Sequence, residues 1–237
     1  MIRLAAVLAL LPVASEAACR QALALGLDMS GSVDEVEYRL QLDGLATALN
    51  SARVQEVWFA QPEAPIRIAV YEWSGPPNQT LILPWTTLDT PTDLARASAV
   101  LRAHERLVAA PTTAIGSALL YGFRLLDEQE SCWKRTLDLS GDGETNVGPR
   151  PQDIPDSRTP TGVIVNGLVV GSPVRTGGEL RFDNVHELES YYESYVVRGP
   201  GAFVELALGF NAYAAAMERK LLRELASIAM AQVTVQP

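Results

Sequence analysis

From Ala22 to Leu27 the sequence reads "ALALGL", an apolar run with no polar face, and it stops at Asp28. A strand that is apolar on both sides has to be covered on both sides, which is the situation of strands inside parallel sheets. The stretch "TGVIVNGLVV" has the same character, "AFVELAL" reads as a last strand, and "WKRTLDLSGDG" reads as a strand that ends in a glycine-bounded aspartate. Ile66–Trp73 and Thr80–Leu88 read as two strands of a hairpin joined by the turn-rich "SGPPNQ". Helical patterns run from about Val33 to Ala52, Pro91 to Val108, Ala114 to Glu128 and Phe210 to Ala226, the last with Phe210, Tyr213, Met217, Leu221 and Leu225 on one face. Strands alternating with helices of this length define an α/β fold with a mostly parallel sheet.

In such sheets ligands collect beyond the carboxyl ends of the strands, and three loops of this chain carry oxygen-bearing side chains there. They are Asp28-Met29-Ser30-Gly31-Ser32, Thr112-Thr113 ahead of "AIGSALLYGF", and Asp142 in "LSGDGETN". Carboxylates and hydroxyls with neither sulfur nor imidazole suit a hard divalent cation, Mg²⁺ first and Mn²⁺ or Ca²⁺ as alternatives. Alternate residues of Asp-x-Ser-x-Ser turn toward one point, and Gly31 allows a close backbone bend. Because hydroxyls are neutral, an ion held this way keeps net positive character and accepts an anionic ligand from outside. Each residue also has a plainer reading: Ser30, Ser32 and Asp34 as caps of the first helix, Thr113 as a cap, and Asp142-Gly143 as a turn. A calcium loop of the EF-hand kind beginning at Asp138 fails, because Pro149 stands where the bidentate Glu is required.

The chain has 237 residues, 48% of them hydrophobic, enough for a substantial core. Arg3, the apolar run Leu4–Val13 and the small residues Ser15 and Ala17 form a signal-peptide pattern over residues 1–17, with cleavage after Ala17. Glu16 argues against a lipid anchor at Cys19. The remainder, 18–237, reads as a single domain with surface insertions around 148–162 and 172–201. Cleavage removes one charge of each sign, so the net charge stays at -9. An acidic chain with only two lysines, Lys134 and Lys220, is unsuited to nucleic acid, and no later apolar stretch approaches the ~20 residues of a membrane span. An exported protein, periplasmic or secreted, is expected. His104 and His186 receive no role, and no G-x-S-x-G elbow is present.

"DMSGS", "TTAIGSAL" and "SGDGE" resemble, in order and spacing, the metal-ion-dependent adhesion site of von Willebrand factor type A (VWFA) domains. "RIAVYEWSG", "PWTTL" and "RGPGAFVELALGF" extend the resemblance to an uncharacterised subfamily of exported bacterial proteins of that fold. The resemblance implies a doubly wound, Rossmann-like sheet of six strands in the order 3-2-1-4-5-6, with one antiparallel edge strand and helices on both faces. It also implies a metal site at Asp28, Ser30, Ser32, Thr113 and Asp142, and a protein or peptide partner that supplies a Glu or Asp carboxylate to the ion. The implied strand order puts Cys19 and Cys132 at similar depth on neighbouring strands, and a disulfide between them is predicted. The implied role is binding, not catalysis. The competing enzyme class is a Mg²⁺-dependent phosphatase of the haloacid dehalogenase type using Asp28 and Asp142. It lacks its acid, since Ser30 stands where a second aspartate is needed, and Lys134 falls in a strand instead of on the helix where the phosphoryl-binding lysine belongs.

Overall fold

The computed structural model describes residues 19–107, 110–171, 174–176, 179–181 and 185–233; the segment 1–17, read above as a signal peptide, lies outside the described residues. β1 (Cys19–Asp28), β2 (Ile66–Trp73), β3 (Gln79–Leu88), β4 (Cys132–Gly141), β5 (Val163–Val170) and a short final strand, Val204–Ala207, make one sheet. Two short strands, β6 (Val174–Thr176) and β7 (Glu179–Arg181), pair with each other in a separate small sheet, so the final strand of the main sheet is β8. Its order is β3-β2-β1-β4-β5-β8, which is the expected 3-2-1-4-5-6. All neighbours are parallel except the β2–β3 hairpin.

Helices cover both faces, and β1 shows how the sequence assigns them. Leu23, Leu25 and Leu27 face a core shared with α1 (Glu35–Leu49), α2 (Ala52–Trp58), α3 (Pro91–Ala103) and α6 (Tyr213–Val233). Ala22 and Ala24 face the opposite core, built with α4 (Ile115–Asp127) and α5 (Val185–Tyr191). The alternation has the period of two that any strand imposes. It is invisible as amphipathicity because both faces are dry. The alanine side leaves room for Tyr71, whose hydroxyl donates to the Ala118 carbonyl at 2.9 Å.

The helical stretch read as continuous from Val33 to Ala52 is two helices. Asn50 ends α1, and Ser51 starts α2 as an N-cap whose Oγ accepts from the Val54 N–H at 3.2 Å. Residues 185–196 fall inside the stretch read as a surface insertion, yet Val185, Leu188, Tyr192 and Val196 are buried in the core on the α4 side. This segment continues α5 into a single π-helical turn, Tyr192–Val196, a local geometry that often marks a site. At the other end of the sheet Cys19 and Cys132 are opposite one another in the β1–β4 register and are joined by a disulfide, with Cα atoms 4.5 Å apart. Among the described residues no helix is long and apolar enough to cross a membrane.

Candidate metal centre

β1 ends by placing Asp28 at the top of the sheet, completely buried. Its carbonyl accepts from Gln41 Nε2 of α1 at 2.7 Å, and the next residue, Met29, donates its N–H to the Trp73 carbonyl at the end of β2. The aspartate is thereby fixed by two neighbouring elements before its side chain makes any contact. Asp28 Oδ1 accepts the Ser30 N–H at 2.7 Å, which turns the loop back over the strand end. Ser30 Oγ then lies 3.3 Å from Ser32 Oγ, and Ser32 Oγ donates to Asp142 Oδ1 at 2.6 Å. Four of the five residues chosen from sequence thus form one continuous chain of contacts from β1 to the loop after β4.

The capping reading holds for Asp34 but not for Ser30, Ser32 or Thr113. Asp34 is the N-cap of α1, in a reciprocal capping box with Glu37, so Ser30 and Ser32 are free of that duty. The N-cap position of α4 is Ala114, with no side-chain capping bond; Thr145, from the loop after β4, accepts the Ile115 N–H at 3.2 Å instead. Thr113 is not a cap either. Its backbone is gripped from that same loop: Thr113 N–H donates to Asn146 Oδ1 and its carbonyl accepts the Asn146 N–H, both at 2.9 Å, with Thr145 Oγ1 donating to the carbonyl at 3.2 Å. The Thr113 loop is brought to the first loop by backbone packing. A Cβ added at Gly31 would lie 2.8 Å from the Pro111 carbonyl oxygen, so the glycine is needed for close approach. Gly31→Ala is expected to push these loops apart and weaken binding of any ion they share by about tenfold, the equivalent of about 1.4 kcal/mol of overpacking, with little loss of fold; a metal titration followed by calorimetry measures it.

Several contributors have no motif to announce them. Arg106 Nη2 donates to the carbonyls of Met29 and Ser30 at 3.1 and 3.3 Å, and its guanidinium lies 5.5 Å from the centre of the Tyr38 ring. Tyr192, brought in by the π-helical turn, and Asp28 Oδ2 both crowd the position where a side chain at Gly141 would begin, at 2.4 and 3.1 Å. Any residue but glycine there would displace one of them.

The electrostatics are unbalanced. Burial first, and the charge of Asp142 second, push the Asp28 carboxyl up to about 7; burial also raises Asp142, partly offset by the hydrogen bond from Ser32. Burial and then the same two carboxylates drive the Tyr192 hydroxyl well above its ordinary value. Asp28 Oδ2 and Tyr192 Oη are buried without a hydrogen-bond partner among the described residues. Two close carboxylates and an uncompensated oxygen in a dry site call for positive charge. No group of three or more His, Cys, Asp or Glu side chains gathers for a metal among the described residues. The donor set is two carboxylates with hydroxyls, which fits a hard ion.

The fold is that of von Willebrand factor type A proteins. Solved structures of the same fold include proximal thread matrix protein 1 from the mussel byssus (TM-score 0.62, 16% identity, 89% of this chain and 49% of that one), which has also been solved with a zinc-occupied MIDAS motif. The pilus adhesin SpaC from Lactobacillus rhamnosus GG (0.61, 13%, 89% and 30%) and a von Willebrand factor type A protein from Catenulispora acidiphila (0.55, 14%, 89% and 43%) share it too. The chain spans half or less of the length of these proteins. It belongs to the family described as a protein of unknown function (DUF1194), whose model matches residues 18–229. No curated protein matches it.

Proposed function

We propose that the protein is an exported binding protein that holds one divalent cation with Asp28, Ser30, Ser32, Thr113 and Asp142, and through it captures an acidic side chain of a protein or peptide partner. The single observation that carries this reading is the contact chain from Asp142 through Ser32 and Ser30 to Asp28, whose Oδ2 is buried without a hydrogen-bond partner among the described residues. When bound, the ion would supply a Lewis-acidic position that an external carboxylate completes. The protein's part is to orient the donors. Ser32, which donates to Asp142, would offer its hydroxyl oxygen to the ion, Ser30 is held by the turn onto Asp28, and Arg106 and Gln41 fix the backbone that carries them.

Mg²⁺ is the proposed ion, because all donors are hard oxygens; the zinc-occupied site of the mussel protein makes Zn²⁺ a necessary comparison. Export is supported by the leader pattern and by the Cys19–Cys132 disulfide, which belongs to an oxidising compartment. A binding role is favoured over phosphoryl transfer by the position of the cations. The sequence has two lysines, and Lys134 bonds the Glu224 carbonyl while Lys220 bonds Asp138 and Glu224, so neither is placed to steady a phosphoryl group at Asp28.

The test is thermal unfolding with Mg²⁺, Mn²⁺, Ca²⁺ or Zn²⁺, repeated with an acidic peptide library and with chelator. At a hundredfold excess over Kd an ion that binds only the folded state stabilises by about 2.7 kcal/mol. A reversible shift with at least one of the ions, and peptide capture that disappears with chelator, is the expected result. Equal stability with and without every ion contradicts the reading.

A further inference from the structure

Asp138 of β4 faces the α6 side of the sheet and anchors a second buried cluster. Lys220 of α6 is completely buried; its Nζ donates to Asp138 Oδ1 and, at 2.7 Å, to Glu224 Oε1. Asn166, opposite Asp138 in the β4–β5 register, donates from Nδ2 to the same Glu224 oxygen at 2.6 Å and accepts the Phe203 N–H on Oδ1 at 3.1 Å. The Phe203 ring lies 5.1 Å from Lys220 Nζ and is itself covered by Arg223. Asp138, Asn166 and Glu224 are 2%, 2% and 1% exposed, and Asp138 Oδ2 has no hydrogen-bond partner among the described residues.

As a stabilising ion pair this arrangement is poor. Burying a cation with two carboxylates costs more in desolvation than a well-packed apolar trio would. As a set of reactants it is complete: a primary amine, a carboxyl in contact with it, and a second carboxyl bonded to the same nitrogen, all shielded from water. We propose that Lys220 and Asp138 condense to an intramolecular amide, with Glu224 carrying the proton.

The reaction starts from the pair as amine and carboxylic acid, reached when the ammonium gives its proton to Asp138 in surroundings too dry to favour the charged amine. Burial is the main cause that lowers the Lys220 amine, to about 8. The neutral Nζ attacks Asp138 Cγ, a C–N bond forms, and one C–O bond of the carboxyl breaks. Glu224 accepts the proton that Nζ sheds and returns it to the departing hydroxyl, so one water leaves and no oxidant or cofactor takes part. Holding the two groups in contact supplies the effective concentration that the bimolecular reaction lacks. The product replaces buried charges by a neutral amide and ties α6 to the central strand β4, as the disulfide ties β1 to β4.

Intact-mass measurement of the purified chain, with the disulfide reduced and the protein unfolded, tests this directly. The expected mass is that of the sequence less one water, and digestion is expected to release one branched peptide joined through Lys220 and Asp138. Glu224→Gln, checked by circular dichroism for retention of the fold, is expected to have its full mass. A wild-type chain of full mass whose digest carries Lys220 and Asp138 in separate peptides overturns the proposal, whether or not any variant folds. A Glu224→Gln chain that still loses water overturns the role given to Glu224.

Discussion

Replacing Asp28 by Asn is expected to make the ion-free protein more stable at pH 8 and to erase its response to divalent cations. Both effects follow from the same charge. The Asp28 carboxyl is raised from 3.8 in the open chain to about 7 in the folded one. Below about pH 4 both states carry the proton and the residue costs nothing. Between about pH 4 and 7 the unfolded chain ionises while the folded one does not, so stability falls as pH rises, and above about 7 the cost is complete. At 1.36 kcal/mol per unit the full cost is roughly 4 kcal/mol, and Asp142, raised in the same direction, steepens the fall. Asn keeps the Oδ1 acceptor for the Ser30 N–H and removes the charge. Urea unfolding from pH 4 to 8 should therefore show a falling curve for the wild type and a flatter one for Asp28→Asn, while added Mg²⁺ lifts the wild type alone, most strongly at the high end. A wild-type curve that rises with pH in the absence of metal would contradict this account of the site.

The second large effect is expected at the other end of β1. The Cys19–Cys132 bond closes a loop with a sequence separation of 113. In the chain-entropy model a loop of that length stabilises by about 4–5 kcal/mol, or roughly 10–15 °C in Tm for a chain of this size. Replacing both cysteines by serine should cost that much by urea or thermal unfolding, and wild type with reductant should match the double variant. The bond joins adjacent strands already in register, so its loss should leave the ion response of the distant loops unchanged. A double variant that keeps its Tm, or one that loses ion binding along with stability, would show that the bond does something other than restrain the open chain.

The sheet was legible because two of its strands lead into a chemical signal. Asp28 closes one apolar run and Asp142 follows another, and once the three loops are matched to the VWFA pattern the strand order comes with them. The cysteine pairing came by the same route, through that order and not from spacing alone. What the sequence concealed lies where no periodicity exists. Arg106 falls in the stretch read as helical to Val108, but α3 ends at Ala103, and the hold of Arg106 on the Met29 and Ser30 carbonyls beyond it is purely tertiary. Asn146 and Thr145 follow the recognised "SGDG", yet their bonds to Thr113 and Ile115 are visible only when two loops meet. Tyr192 is the clearest case. It lies in the stretch read as a surface insertion, where an aromatic side chain reads as core more readily than as part of a site, and the π-helical turn places its hydroxyl beside Gly141, in the field of Asp28. Lys220 was hidden for the opposite reason. On the apolar stripe of α6 a lysine looks like an edge position, and its burial against Asp138 depends on a strand far away in sequence.

The most direct measurement of the central claim is anomalous diffraction at the manganese edge from crystals grown with Mn²⁺. The expected map has one strong peak within direct bonding reach of Ser30 Oγ and Ser32 Oγ, with Ser32 released from Asp142. A map with no peak among the three loops, and with the Ser32–Asp142 hydrogen bond intact at saturating Mn²⁺, would contradict it.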